Sequence, residues 1–110
     1  MDNSENLQSF VITYDVEDDD PSPYDELLDQ AEANGWSRWV FGAKTKKYFR
    51  LPNTTLIGEF ADKLAAEDAF LKAVKSTGKE LGIKVVVSKY FLAAYSTARF
   101  VSDEKVKNKP

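Results

Sequence analysis

The sequence predicts one α+β domain, and three observations lead there. Apolar residues alternate at a spacing of two in several short runs, they recur at helical spacing in two longer ones, and the two kinds of segment follow one another as strand, helix, strand, strand, helix, strand. At 110 residues, with 43% hydrophobic and 13% aromatic side chains, the chain has apolar surface for one core and no need of a second domain.

The first strand is QSFVITYDV, residues 8 to 16. Phe10, Ile12 and Tyr14 alternate against Val11, Thr13 and Asp15, and β-branched residues dominate, so the strand predicts a central place in a sheet. The following EDDDPSP combines adjacent acids with two prolines and cannot continue a ladder, which makes it a loop. A helix over residues 23 to 34 is expected next. Ser22 offers a capping hydroxyl, Pro23 suits the first helical position and Asp25 faces the positive end of the dipole. Tyr24, Leu27, Leu28 and Ala31 form its apolar stripe, and Asn34-Gly35 ends it.

Two more strands are expected between Trp36 and Phe60, with a long loop or hairpin between them. One lies in the aromatic and basic run WSRWVFGAKTKKYF, the other in LPNTTLIGEF. The second helix lies between Asp62 and Leu81, where Ala66, Ala69, Phe70, Ala73, Val74 and Leu81 recur at helical spacing before Gly82. IKVVVSKYFLAAY is the last strand, STARFV a short extra strand or an arm, and DEKVKNKP a charged tail. The expected organisation is a disordered N-terminus over 1–7, a single domain over 8–101 and a flexible charged tail over 102–110.

This order of elements is that of a ferredoxin-like βαββαβ domain, an antiparallel sheet with two helices on one face. The other face is left open. Several of its candidate residues are apolar or aromatic, so the open face predicts either a homodimer or a cover formed by the segment FLAAYSTARFV.

Composition narrows the chemistry. The chain has no cysteine and no histidine, which removes disulfides, thiol nucleophiles and the usual near-neutral acid and base. It shows no membrane-spanning run and no signal-peptide pattern, so a cytoplasmic location is expected. The net charge of −3 conceals an asymmetry: residues 1 to 35 carry eleven acids and no base, and the remainder fifteen bases against seven acids. That split is either a solvated surface or a pair of complementary surfaces on two copies of the chain.

Two clusters are candidates for function. Asp15 ends the first strand with Glu17, Asp18, Asp19 and Asp20 close behind, and neighbouring carboxylates can hold a hard ion such as Mg²⁺ that activates water against a phosphodiester. Asp15 is the candidate catalytic residue, and Asp15 with Asp18 the candidate metal pair. The alternative is an acidic approach to a helix, solvated and without any ion or cofactor. A calcium loop starting at Asp15 is excluded, because Asp20 stands where glycine is required. The second cluster interleaves bases with rings. Arg38, Lys44, Lys46, Lys47, Tyr48 and Arg50 are the residues expected to contact RNA or DNA, by neutralising phosphates and stacking on bases. A hairpin with one core face and one solvated face gives the same composition. Lys105, Lys107 and Lys109 either extend the basic footprint or keep the tail soluble.

With the strand ending in Thr13-Tyr14-Asp15, the proline-started helix and the NTTLIGEF strand, residues 8 to 95 resemble the superfamily of small ferredoxin-like proteins that includes CRISPR-associated endoribonuclease-like subunits and virulence-associated protein D toxins. The resemblance implies dimers formed through the sheets, RNA cleavage or DNA binding, and a metal-linked role for Asp15. The segment between the middle strands is longer here than in that pattern. Two functions follow as expectations: a small dimeric nucleic-acid-associated protein working as a metal-dependent endoribonuclease, or a non-enzymatic module that pairs through its open sheet face.

Overall fold

Strand β1 (Gln8–Val16) is the centre of the molecule, and its alternation decides what lies on either side. Phe10, Ile12, Tyr14 and Val16 are buried on one face, while Thr13 and Asp15 are exposed on the other with Val11 half-buried between. The computed structural model describes residues 6–110, so most of the N-terminal segment expected to be disordered lies outside the described residues.

The remaining elements are α1 (Tyr24–Ala33), β2 (Trp36–Ser37), β3 (Trp39–Gly42), β4 (Lys47–Arg50), β5 (Thr55–Phe60), α2 (Lys63–Leu81), β6 (Val87–Tyr95) and β7 (Lys105–Val106). The architecture is α+β, with two helices and two antiparallel sheets. The main sheet runs β2-β5-β1-β6, and a smaller one runs β3-β4-β7. β1 pairs with β5 from Gln8↔Phe60 to Thr13↔Thr55, and with β6 from Ser9↔Tyr95 to Val16↔Val87, with an irregularity in register between Asp15 and Val16.

The core forms where the helices meet the main sheet. Leu27 and Ala31 of α1, Ala66, Phe70 and Ala73 of α2, Trp36 and Leu56 join the four buried residues of β1 in one cluster. Spacings of four and three carry Ala66, Phe70, Ala73 and Thr77 down one side of α2, and the buried Thr77 hydroxyl donates to the Ala73 carbonyl at 2.8 Å rather than staying unpaired. Phe70 packs on Tyr14 with centroids 5.2 Å apart, and Trp36 on Phe60 at 4.8 Å. Gly58 makes that last packing possible. A Cβ there would stand 2.8 Å from the Gly35 carbonyl oxygen and 2.7 Å from the Phe60 ring.

The helix ends differ from each other. α2 begins as its sequence suggests, with the Asp62 carboxylate accepting from the Ala65 N–H at 2.8 Å. At α1 the capping position falls on the buried Pro23, and no side chain caps it, so Ser22 does not serve as the cap. Tyr24, the first helical residue, donates its hydroxyl to the Val16 carbonyl at 2.9 Å and ties the helix start to the end of β1. α1 stops where Gly35 takes φ 96°, a left-handed value that favours glycine.

The middle of the chain departs from the single four-stranded sheet that the sequence predicts. The run from Trp36 divides at Arg38 into β2, which joins the main sheet, and β3, which leaves it to pair with β4. The break is local and chemical. The Ser37 hydroxyl bridges the N–H and carbonyl of Trp39, both at 3.0 Å, and the Arg38 guanidinium is pulled onto α1. Residues 96–101 form no strand; they return the chain so that Phe100 packs on Phe49, centroids 5.5 Å apart. Lys105–Val106 then adds to β4, so the segment expected to be a flexible tail carries β7.

Candidate functional site

Asp15 stands exposed on the open face of the main sheet, directly across from Lys89 of β6. The Ser88 hydroxyl donates to the Asp15 carbonyl at 3.2 Å, which fixes the strand end without engaging the carboxylate. The same strand ends and Thr54 line a shallow depression of about 230 Å³, with Thr13, Asp15, Lys89, Tyr90 and Phe91 around it. Phe91 is 67% exposed there, beside Thr13 in the pairing register. Lys89 and Phe91 were not among the sequence-derived candidates. Alternation within β6 sets them on one face, but only the register brings that face to Asp15.

The loop acids behave differently. The Asp18 carboxylate accepts from the Asp19 N–H at 3.1 Å, and the Asp19 carboxylate from the Asp20 N–H at 2.8 Å. These are short-range contacts that order an exposed loop. Among the described residues no three acids converge in a way that would hold a metal ion. Mg²⁺ requires several oxygen ligands in near-octahedral geometry, and Asp15 with Asp18 is not part of such a set within one chain. The described residues of one chain therefore bring no such donor set together.

The six expected nucleic-acid contacts separate by their surroundings. Arg38 is committed to α1, its guanidinium 2.9 Å from Asp29 and 2.8 Å from Glu32 with the side chain 21% exposed. Burial lowers its pKa, and the hydrogen bonds and charges of Glu32 and Asp29 outweigh that to raise it, so it stays charged. Arg50 is half-buried and donates from Nη1 to the Leu51 carbonyl at 2.8 Å. Lys44 and Lys46 lie exposed in the turn between β3 and β4, and Lys47 opens β4. Tyr48 packs against Phe41 at 5.0 Å, and Phe41 is 47% exposed.

Strand β7 adds residues far away in the sequence to this surface. Lys105 pairs with Phe49, Val106 pairs with Tyr48, and the Arg50 N–H donates to the Glu104 carbonyl at 2.9 Å. Lys109 and Pro110 reach a cleft of about 370 Å³ that Trp39, Tyr48 and Glu32 also line. One face of the smaller sheet thus carries Trp39, Phe41, Tyr48 and Val106, with Lys44 and Lys46 in the turn at its end and Lys109 in the cleft, whereas Lys47 and Lys105 pair with Gly42 and Phe49 on the other face. Charge alternation in DEKVKNKP pointed to the C-terminal lysines; their position beside β4 was not legible from it.

Comparison with family models, with curated proteins and with solved structures finds no match for this chain. Among the described residues no helix is long and apolar enough to cross a membrane.

Proposed function

We propose that the chain is a ferredoxin-like βαββαβ domain with an inserted hairpin, which binds single-stranded RNA or DNA through its smaller sheet. The observation that carries this reading is that Trp39, Phe41 and Tyr48 share one face of the smaller sheet, with Lys44 and Lys46 in the turn at its end and Lys109 in the cleft beside Trp39 and Tyr48. Lysines neutralise phosphates and release counterions, and exposed rings stack on unpaired bases of any sequence. The order β2-β5-β1-β6 supports the fold, since each helix then crosses over one intervening strand. The same order supports kinship with the CRISPR-associated endoribonuclease-like and virulence-associated protein D superfamily.

The open face of the main sheet favours pairing of two copies. Val11, Ile57 and Ala93 form a half-buried apolar row across β1, β5 and β6, with the exposed Phe91 beside it. A ribonuclease form of this reading brings Asp15 from both copies together, since the described residues of one chain gather no group of three acids. RNA cleavage with added Mg²⁺ that is equal for wild type and Asp15→Ala removes that role from Asp15.

Binding itself is tested by fluorescence anisotropy with labelled single-stranded RNA over a range of salt. The expected plot of log affinity against log salt is linear, falling by about 0.7 per phosphate contact. The combined variant Lys44→Ala, Lys46→Ala, Lys109→Ala reduces that slope by about 2. Binding that ignores salt, or a slope unchanged in the variant, contradicts the proposal.

A further inference from the structure

Beneath the end of β1, on the side away from Asp15, the first turn of α1 and the segment from Arg50 to Thr54 line a third cavity, of about 250 Å³. Tyr14 lines its buried end, Tyr24 and Arg50 its sides, and the exposed Asp25 and Asn53 its mouth.

The polar groups around this cavity are open to a ligand. Tyr14 is only 3% exposed but lines the cavity, and its hydroxyl is not one of the buried side-chain atoms left without a partner among the described residues, which are Trp36 Nε1 and Arg38 Nε. Arg50 and Asp25 carry opposite charges into the same space and form no ion pair. Beyond its bond to the Leu51 carbonyl, the Arg50 guanidinium retains unused donors, and the Asp25 carboxylate retains its acceptors.

The charges choose between ligand classes. A free anion attracted by Arg50 would meet Asp25 at the mouth. A cation attracted by Asp25 would meet Arg50. A neutral planar ring with a donor edge and an acceptor edge satisfies both groups together. Among the nucleobases, guanine alone offers two adjacent donors, N1–H and N2–H₂, that match one carboxylate, together with the O6 and N7 acceptors that match a guanidinium fork. We propose that this cavity takes a guanine base, with N1–H and N2–H₂ on Asp25, O6 and N7 on Arg50, and the ring against Tyr24. The Tyr14 hydroxyl supplies a further hydrogen bond at the buried end. The volume suits one base, being below the range of pockets that enclose larger ligands.

The guanine belongs either to a strand, in which case the inference deepens the nucleic-acid reading and rests on it, or to a free nucleotide, in which case it stands alone. Calorimetric titration separates the two. Guanosine is expected to bind and adenosine, cytidine and uridine are not; Asp25→Asn and Arg50→Lys each weaken guanosine by about 10- to 100-fold, the discrimination of one two-bond contact. Asp25 is exposed, so its variant folds as the wild type does. Equal binding of guanosine and adenosine, no binding of guanosine, or an unchanged affinity in Asp25→Asn overturns the inference. A second arm compares guanine-containing and adenine-only oligonucleotides. Salt-sensitive binding of both alike leaves the strand reading in place and overturns the guanine cavity. Guanosine binding without any strand binding supports the cavity and overturns the strand reading.

Discussion

The two sheets of this molecule have the same pairing geometry and opposite surroundings. The main sheet lays its alternate residues against two helices, and Phe10, Ile12, Leu56 and Phe70 are at most 1% exposed. The smaller sheet meets a helix only across open clefts among the described residues, where Glu32 of α1 faces Trp39 and Tyr48, and Tyr24 and Asp25 face Arg50. Every residue of β4 is half-buried, and its packing comes from pairs such as Phe41 on Tyr48 and Phe49 on Phe100. Burial on one face supplies stability, while the aromatic face of the smaller sheet is left half in water beside the turn lysines. On the proposed reading this difference is a division of labour, in which the helix-backed sheet is the scaffold and the hairpin with β7 is the working surface.

The sharpest way to break that division is through stability. Phe70→Ala opens a cavity between α2 and β1 and is expected to cost about 3–5 kcal/mol in urea denaturation. Phe49→Ala in the smaller sheet should cost less than about 2 kcal/mol, because its ring is only half-buried. Equal losses would mean that the two sheets share one cooperative core. Arg38 sharpens the boundary between them. Arg38→Ala removes two ion pairs whose acids are partly exposed, so the expected loss is about 1 kcal/mol in the same assay. RNA affinity should be unchanged in this variant, since the guanidinium is already committed to α1.

A smaller effect reports on the scaffold alone. Burial pushes the Tyr14 phenol up to about 12, and the charges of Arg50 and Arg38 only partly oppose it. A folded value above the unfolded one of about 10 means that the stability from keeping this phenol neutral is complete below pH about 10. It is lost as pH rises from there toward 12. Denaturation midpoints of wild type should therefore fall more steeply across that window than those of Tyr14→Phe, which has no proton to lose.

The scaffold was largely legible in the sequence, and the working surface was not. β1, α1, α2 and β6 announce themselves because each buries a regular stripe, and period two or period 3.6 survives in the residues. The split between β2 and β3 depends on Arg38 meeting Asp29 and Glu32, partners fixed by how α1 lies on the sheet. β7 is two residues long inside a run of charges, and β4 alone makes it a strand. For the same reason Arg38 stands out in the sequence as a free base and is a clamp in the structure. Asp15 was legible as the exposed end of a strand. Its neighbours Lys89 and Phe91, and the grouping of Tyr14, Asp25 and Arg50 around one cavity, follow from register and crossover, which no local pattern carries.

The division of labour is tested most directly by mapping backbone amide shifts in NMR spectra as short single-stranded RNA is added. The account predicts the largest changes along β3, β4 and β7, centred on Phe41 to Tyr48 and Lys105 to Val106, with the amides of α2 and β5 unmoved. Shifts concentrated instead on β1 and β6 around Asp15, Lys89 and Phe91, with the smaller sheet silent, would contradict it.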